Sequence, residues 1–335
     1  MRRNHMLRSM GQKALVFCTS LFLLSVFVFF VARLAPGDPL ESYYGDRVER
    51  MSVQERLRAE TRLGLHDPIT IQYQRWLERA AEGDFGISYK YKMPVTEVIA
   101  SRVENTLLLG GLGFLLIFAG ALLLGIFCVW REGQWPDKLI CQVGTAVCSI
   151  PEFWLALVLI LIFSVELRLL PSSGAYEVGG SGSLGDRAVH LALPLVAVVT
   201  NHLWYYAYMI RNKLLEEVRE DYILLGKAKG LSRARILLVH ALRNILPSYL
   251  SLMAISVPHI LGGTYVVEAV FSYPGLGTLV YESARFQDYN LLMLICLLSG
   301  AVVIFSNLLV QGINEAIDPR MKSTVIVEKN EGVRS

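Results

Sequence analysis

The sequence predicts an all-α membrane protein with six transmembrane helices, and three observations carry that prediction. Of its 335 residues, 53% are apolar and only 18% charged, whereas soluble domains carry roughly 25% charged residues. Six apolar stretches are each long enough, at about 20 residues, to cross the hydrocarbon with every backbone hydrogen bond closed inside the helix. Lys and Arg gather at the N-terminus and between the fourth and fifth stretches, which places both termini in the cytoplasm. Mean hydropathy is +0.44. With 32 Lys+Arg against 29 Asp+Glu, the charge balance is too even for a general nucleic-acid binder. The five cysteines, 18, 128, 141, 148 and 296, show no CxxC spacing, which argues against a zinc site or a disulfide framework.

The first segment, 1–34, is a tail followed by a span at 14–34. Arg2, Arg3, Arg8 and Lys13 precede the span with no acid among them. Its apolar run is long for the signal-peptide core of about 7–15 residues. Ala32-Arg33-Leu34-Ala35 is also a poor cleavage site, so an uncleaved helix is expected.

Residues 35–104 then form an external loop with ten basic and twelve acidic residues. Ser52 and Glu55 have the capping-box spacing of a helix start. After Pro68, the apolar Ile69, Tyr73, Trp76 and Leu77 recur at helical spacing. Two short helices there suit a docking platform or a cap over a pathway, or equally helices resting on the bilayer or on their neighbours.

The core, 105–316, holds five more spans at 105–129, 139–165, 189–210, 245–267 and 290–312. Glycines 110, 111, 113, 120 and 125 in the second span let backbones approach. The third contains Pro151 and Glu152 and is expected to kink or to start later. The fourth carries Thr200, Asn201, His202, Tyr205 and Tyr208. Asn201, Tyr205 and Tyr208 share a face that either lines a polar pathway or bonds across packed helices. The fifth contains Pro247, Pro258 and His259, the histidine reading as a satisfied core residue.

Within this core the cytoplasmic loop 211–244 has eight basic against four acidic residues. Residues 214–228 read as one helix with Leu214, Val218, Tyr222 and Leu225 on one side. Gly230 stands where a helix ends with φ > 0, and Ser232 caps a second helix running to about Arg243. This compact basic corner suits the grip of another protein, or contact with anionic lipid headgroups. A cytoplasmic tail, 317–335, closes the chain.

Catalytic motifs are missing. The sequence has no GxxxxGK[ST], HExxH or GxSxG, and the glycines of 179–187 lack the lysine of a phosphate loop. Mid-span regions are almost free of Asp, Glu, Lys and Arg, which weighs against a self-powered, ion-coupled carrier. The energy source is therefore expected on another polypeptide, and no bound cofactor or metal is expected on this chain.

The stretch EVREDYILLGKAKGLSRARILLVHALRNILP (217–247) resembles the coupling loop of membrane permeases of binding-protein-dependent ABC importers, in the dipeptide, oligopeptide and nickel branch. LAPGDP (34–39), LGLHDPITIQYQRWL (63–77), GDFGIS (83–88), SIPEFW (149–154), LLPSSG (169–174), HLALPL (190–195) and FSYPGLGTLV (271–280) follow in the family's order. The resemblance covers residues 10 to about 322. It implies the type I ABC importer permease fold in a cell (inner) membrane. It also implies Glu217, Asp221, Tyr222, Gly226, Ala228, Lys229, Gly230 and Leu231 as the segment seated in an ATPase cleft. Gly226 departs from the family's usual alanine. The implied partners are a second permease subunit, usually as a heterodimer, two cytoplasmic ATPases that bind the ATP, and an external binding protein. The implied cargo is peptides, with nickel or a metal chelate as the alternative.

Overall fold

The computed structural model describes residues 2–34, 38–177, 179 and 183–317, with side chains from residue 11 to 315 apart from Pro39. The N-terminal arginines' side chains, residues 35–37 of LAPGDP, residues 178 and 180–182 at the glycine-rich stretch and the tail beyond residue 317 lie outside that description. The described residues are helical, with one isolated bridge between Ile87 and Pro94.

In order the helices are α1 (Arg2–Leu34), α2 (Pro39–Tyr44), α3 (Val53–Leu63), α4 (Ile69–Ala81), α5 (Val95–Trp130), α6 (Trp135–Cys148) and α7 (Glu152–Leu159). They are followed by α8 (Leu184–Glu217), α9 (Asp221–Ala228), α10 (Arg233–Arg235), α11 (Leu242–Val270), α12 (Leu276–Arg285) and α13 (Tyr289–Ile317). A π-helical stretch, Ile160–Glu166, extends α7, and another, Ile236–Ala241, joins α10 to α11.

Among the described residues, five helical stretches are long and apolar enough to cross a membrane, Gly11–Leu34, Val95–Trp130, Leu184–Glu217, Arg233–Val270 and Tyr289–Glu315. The third predicted span, 139–165, is instead a pair, α6 and α7 with its extension, bent by 97° at Ser149–Pro151. Pro151 lacks the N–H that would continue the ladder, and its ring excludes the helical conformation for Ile150. The count is thus five, or six if the bent pair makes one span. The helix expected to stop near Arg243 runs on through Pro247 and Pro258 to Val270. Several helices also outrun their predicted spans: the 34 residues of α8 extend about 51 Å at 1.5 Å each, well beyond roughly 30 Å of hydrocarbon.

The chain divides into two compact units, one from the N-terminus to Thr106 with Pro274–Phe305, the other Leu107–Tyr273 with the residues from Ser306. In the first, the predicted capping box at Ser52 and Glu55 is formed. Amphipathic α4 buries Trp76 and sets Tyr73 against Phe29 of α1, while Ser25 shares a 2.8 Å hydrogen bond with the Tyr73 hydroxyl. Its apolar stripe therefore rests on its neighbour, α1. The segment 84–94 is pinned by Asp288, fully buried, which accepts from the Ser88 hydroxyl and from the Lys90 N–H at 3.1 Å.

In the second unit the core joins Phe118 and Ile117 of α5 to Tyr206 and Ile210 of α8 and to Ile260 and Val267 of α11. Glycines 113, 120 and 125 face α8. A Cβ at Gly125 would stand 2.9 Å from Ile210 and 3.2 Å from the Arg211 nitrogen, so the close approach there requires glycine.

Candidate functional site

The inner loop forms a corner whose shape is set by backbone hydrogen bonds. Helix α8 stops at Glu217, and Val218–Glu220 make a turn before α9 begins at Asp221. Residues 214–228 are therefore two helices, and the single face predicted for them divides. Leu214 is fully buried while Tyr222 and Leu225 are exposed. Ile223 is the buried anchor of α9, and Leu224, Leu225, Ala228, Lys229 and Gly230 are open to their surroundings.

The end of α9 is a Schellman turn around Gly230, which has φ +77°. The Gly230 N–H donates to the Lys227 carbonyl at 2.9 Å, and the Leu231 N–H to the Gly226 carbonyl at 3.1 Å. Ser232 then caps α10, accepting from the Arg235 N–H at 3.4 Å. At the other end, Tyr222 donates its hydroxyl hydrogen bond to the Glu217 carboxylate, which also accepts from Asn244 Nδ2 at 3.0 Å. Burial, followed by the Glu217 carboxylate, holds the Tyr222 phenol above the usual tyrosine range. The corner is thus closed across its base.

Three contacts tie this corner to the turn between α5 and α6. Arg219 pairs with Glu132 at 2.8 Å, and Arg233 donates to the Val129 carbonyl at 3.1 Å with its guanidinium over the Trp130 ring. Deeper, Arg211 near the end of α8 grips Asp137 with two hydrogen bonds of 2.7 and 2.8 Å. That carboxylate, 3% exposed, also accepts from the Gly133 N–H. Asp137 and Arg211 stand immediately outside the apolar stretches 139–165 and 189–210. Their charge marked the span ends in the sequence, but nothing there announced that they meet 74 positions apart.

The polar groups of α8 separate. Tyr205 and Tyr208 are 51% and 52% exposed, while Asn201 is half-buried and donates to the Ile150 carbonyl at 3.3 Å. Asn201 thus satisfies the backbone at the α6–α7 break, and Tyr205 and Tyr208 remain open. His259 is exposed, a correction to its expected place in the core, because it follows Pro258 on an outward face of α11. Acidic groups also sit deeper than the apolar pattern implied, with Glu268 fully buried and the Glu152 side chain 13% exposed.

Two family descriptions match the chain. "Binding-protein-dependent transport system inner membrane component" matches residues 121–323, and the N-terminal description of the same transport systems matches residues 6–110. An oligopeptide transport system permease of Bacillus subtilis is 31% identical over 300 residues, 89% of this chain and 94% of its own. A putative peptide permease of Brucella ovis is 32% identical over 95% of this chain and all of its own length. The glutathione transport system permease of Escherichia coli K12 is 33% identical over 95% of this chain and 99% of its own. Among solved structures, a chain of the MetNI methionine ABC transporter in an inward-facing conformation has a TM-score of 0.54 at 19% identity. That match covers 67% of this chain and 97% of the other, a likeness of fold.

Proposed function

Since the chain belongs to the family of binding-protein-dependent transport system inner membrane components, we propose that it is the permease subunit of an ATP-driven importer of short peptides. The observation that carries this reading is the corner at Glu217–Leu231. It offers an exposed apolar surface, Leu224 and Leu225, on a helix anchored by Ile223 and closed by the Gly230 turn. A partner ATPase seated on Asp221, Tyr222, Gly226, Ala228, Lys229, Gly230 and Leu231 would grip a rigid piece, and not a loose loop. Movement of that piece reaches α8 and α11 directly along the chain. It reaches α5 and α6 through Arg219–Glu132, Arg233–Val129 and Arg211–Asp137.

In this reading two cytoplasmic ATPases bind and hydrolyse the ATP, and their closure turns the pathway outward. An external binding protein delivers the solute and carries most of the specificity. A second, related permease supplies the other half of the pathway in a heterodimer within a cell (inner) membrane, with both termini cytoplasmic. Of the polar face of α8, the exposed Tyr205 and Tyr208 line this chain's half of the pathway, and Asn201 backs them by holding the α6–α7 break. Peptides are favoured over nickel because the relatives' names specify oligopeptide, peptide and glutathione transport.

Gentle detergent purification of the tagged chain, with mass spectrometry of what remains bound, tests the assembly. Recovery of a second permease and of ATPases, followed by ATP-dependent dipeptide uptake in vesicles, supports the proposal. A folded chain recovered alone, with uptake driven by an ion gradient, overturns it in favour of a self-sufficient carrier. Uptake of nickel and not dipeptide would keep the importer and change its cargo.

A further inference from the structure

One charged group inside the apolar part of the second unit has no place in the coupling path. Glu152, on the first turn of α7, lies against Gly263 of α11 and beside His202 of α8. A Cβ at Gly263 would stand 2.6 Å from Glu152 Oε2, 2.9 Å from Oε1 and 2.6 Å from His202 Cε1. Only glycine leaves room for the carboxylate and the imidazole together. Glu152 and His202 side chains are each 13% exposed. Oε1 is shut away from solvent and has no hydrogen-bond donor.

Among the described residues, the ion-pair neighbour of this carboxylate is His202, whose Nδ1 is 3.9 Å from Oε1. That distance is too long for a hydrogen bond, and Nδ1 already faces the Val198 carbonyl at 3.0 Å. No lysine or arginine among the described residues pairs with it. An ionised carboxylate in apolar surroundings is strongly unfavourable unless a cation or several N–H donors meet it.

We propose that Glu152, cradled at Gly263 beside His202, is a docking point for a primary ammonium group on the transported solute, the amino terminus of a peptide. The proposal deepens the importer reading above and rests on it for the identity of the cargo. A divalent metal fits poorly, because no group of three His, Cys, Asp or Glu able to hold one occurs among the described residues. An ammonium is compact and brings three donors. The side chains of Glu152 and His202 each keep 13% exposure, so the pair is not sealed off, and Phe153 and Trp154 of α7 and Pro258 and His259 of α11 around it are exposed.

The test uses the whole importer in lipid vesicles and dicyclohexylcarbodiimide, which modifies carboxyl groups in apolar surroundings. The readout is the mass of the peptide containing Glu152. Labelling is expected at Glu152, and dialanine should suppress it about tenfold, the equivalent of roughly 1.4 kcal/mol. N-acetyl-dialanine at the same concentration should suppress it little. Equal suppression by both dipeptides, suppression by neither, or no labelling at all would overturn the ammonium site. ATP-driven dialanine uptake is measured in the same vesicles. Intact uptake without amine-specific protection sinks the site alone, whereas protection without ATP-driven uptake sinks the importer reading and leaves the site. Gly263→Ala, which pushes the carboxylate from its cradle, should weaken the protection by dialanine; unchanged protection would count against the cradle. Glu152→Gln should raise the apparent KM for dialanine by about tenfold, with an unchanged KM again overturning the site.

Discussion

Single residues decide whether the corner keeps its shape. Gly230 holds φ +77° with nothing within 4 Å of where a Cβ would sit, so backbone strain and not crowding excludes other residues. Gly230→Val should insert normally yet lose most dipeptide uptake and substrate-stimulated ATP hydrolysis. Normal stimulated hydrolysis in that variant would refute the coupling role. Gly226 is the opposite case, a helical glycine whose added Cβ would meet Leu231 at an ordinary 3.4 Å. Gly226→Ala should stabilise α9 by about 0.5–1 kcal/mol, read as slower hydrogen exchange of its amides. Asp137 and Arg211 form a bidentate pair that is nearly closed to solvent. Asp137→Ala strands the guanidinium and should cost about 3–5 kcal/mol, seen as a lower thermal midpoint of the detergent-purified chain. An unchanged midpoint would mean that Arg211 finds another partner.

At the scale of elements, breaks in the helices matter as much as the helices. The turn at Val218–Glu220 separates α8 from α9, and the Pro151 break separates α6 from α7. The second was legible as a proline in an apolar run. The first was not, because Glu220 has no side-chain cap and the apolar spacing runs through the turn without a mark. The π-helical stretch Ile236–Ala241 was equally silent, since widening one turn changes no residue type.

In the first unit, Glu282 fastens the 84–94 segment through Lys90 at 2.8 Å and the Tyr91 hydroxyl. Burial works against its charge, yet the hydrogen bonds from Lys90 and Tyr91 outweigh that and keep its carboxyl below the usual range. Burial, and after it the bond to Glu282, pushes the Tyr91 phenol up to about 12. A lowered carboxylate contributes stability that is present above its unfolded value and lost as pH falls through its folded one. Hydrogen exchange at Lys90–Lys92, corrected for its intrinsic pH dependence, should therefore lose protection below the ordinary carboxylate range, and Glu282→Gln should abolish that dependence. Protection that is flat with pH in the native chain would contradict this.

For the whole molecule, the proposed topology sets the 35–104 loop outside and the 211–244 loop inside. In a cysteine-free background, Val53→Cys on exposed α3 should react with an impermeant maleimide added outside intact cells, and Lys229→Cys only after permeabilisation. The reverse pattern would invert the proposed topology. Much of this level was written in the sequence by composition. Long apolar stretches specify helices because unpaired backbone groups are untenable in hydrocarbon, and Ser52, Gly230 and Ser232 mark helix ends through local bonds that neighbouring residues can make. These signals need only short-range chemistry, so one strand of text records them. Pairings between distant residues leave no such trace. That Asp137 meets Arg211, that Gly125 admits α8, and that Gly263 seats Glu152 beside His202 was decided only when packing brought the helices together. A side chain's charge is fixed by its sequence, but its partner is fixed by the space the rest of the chain leaves for it.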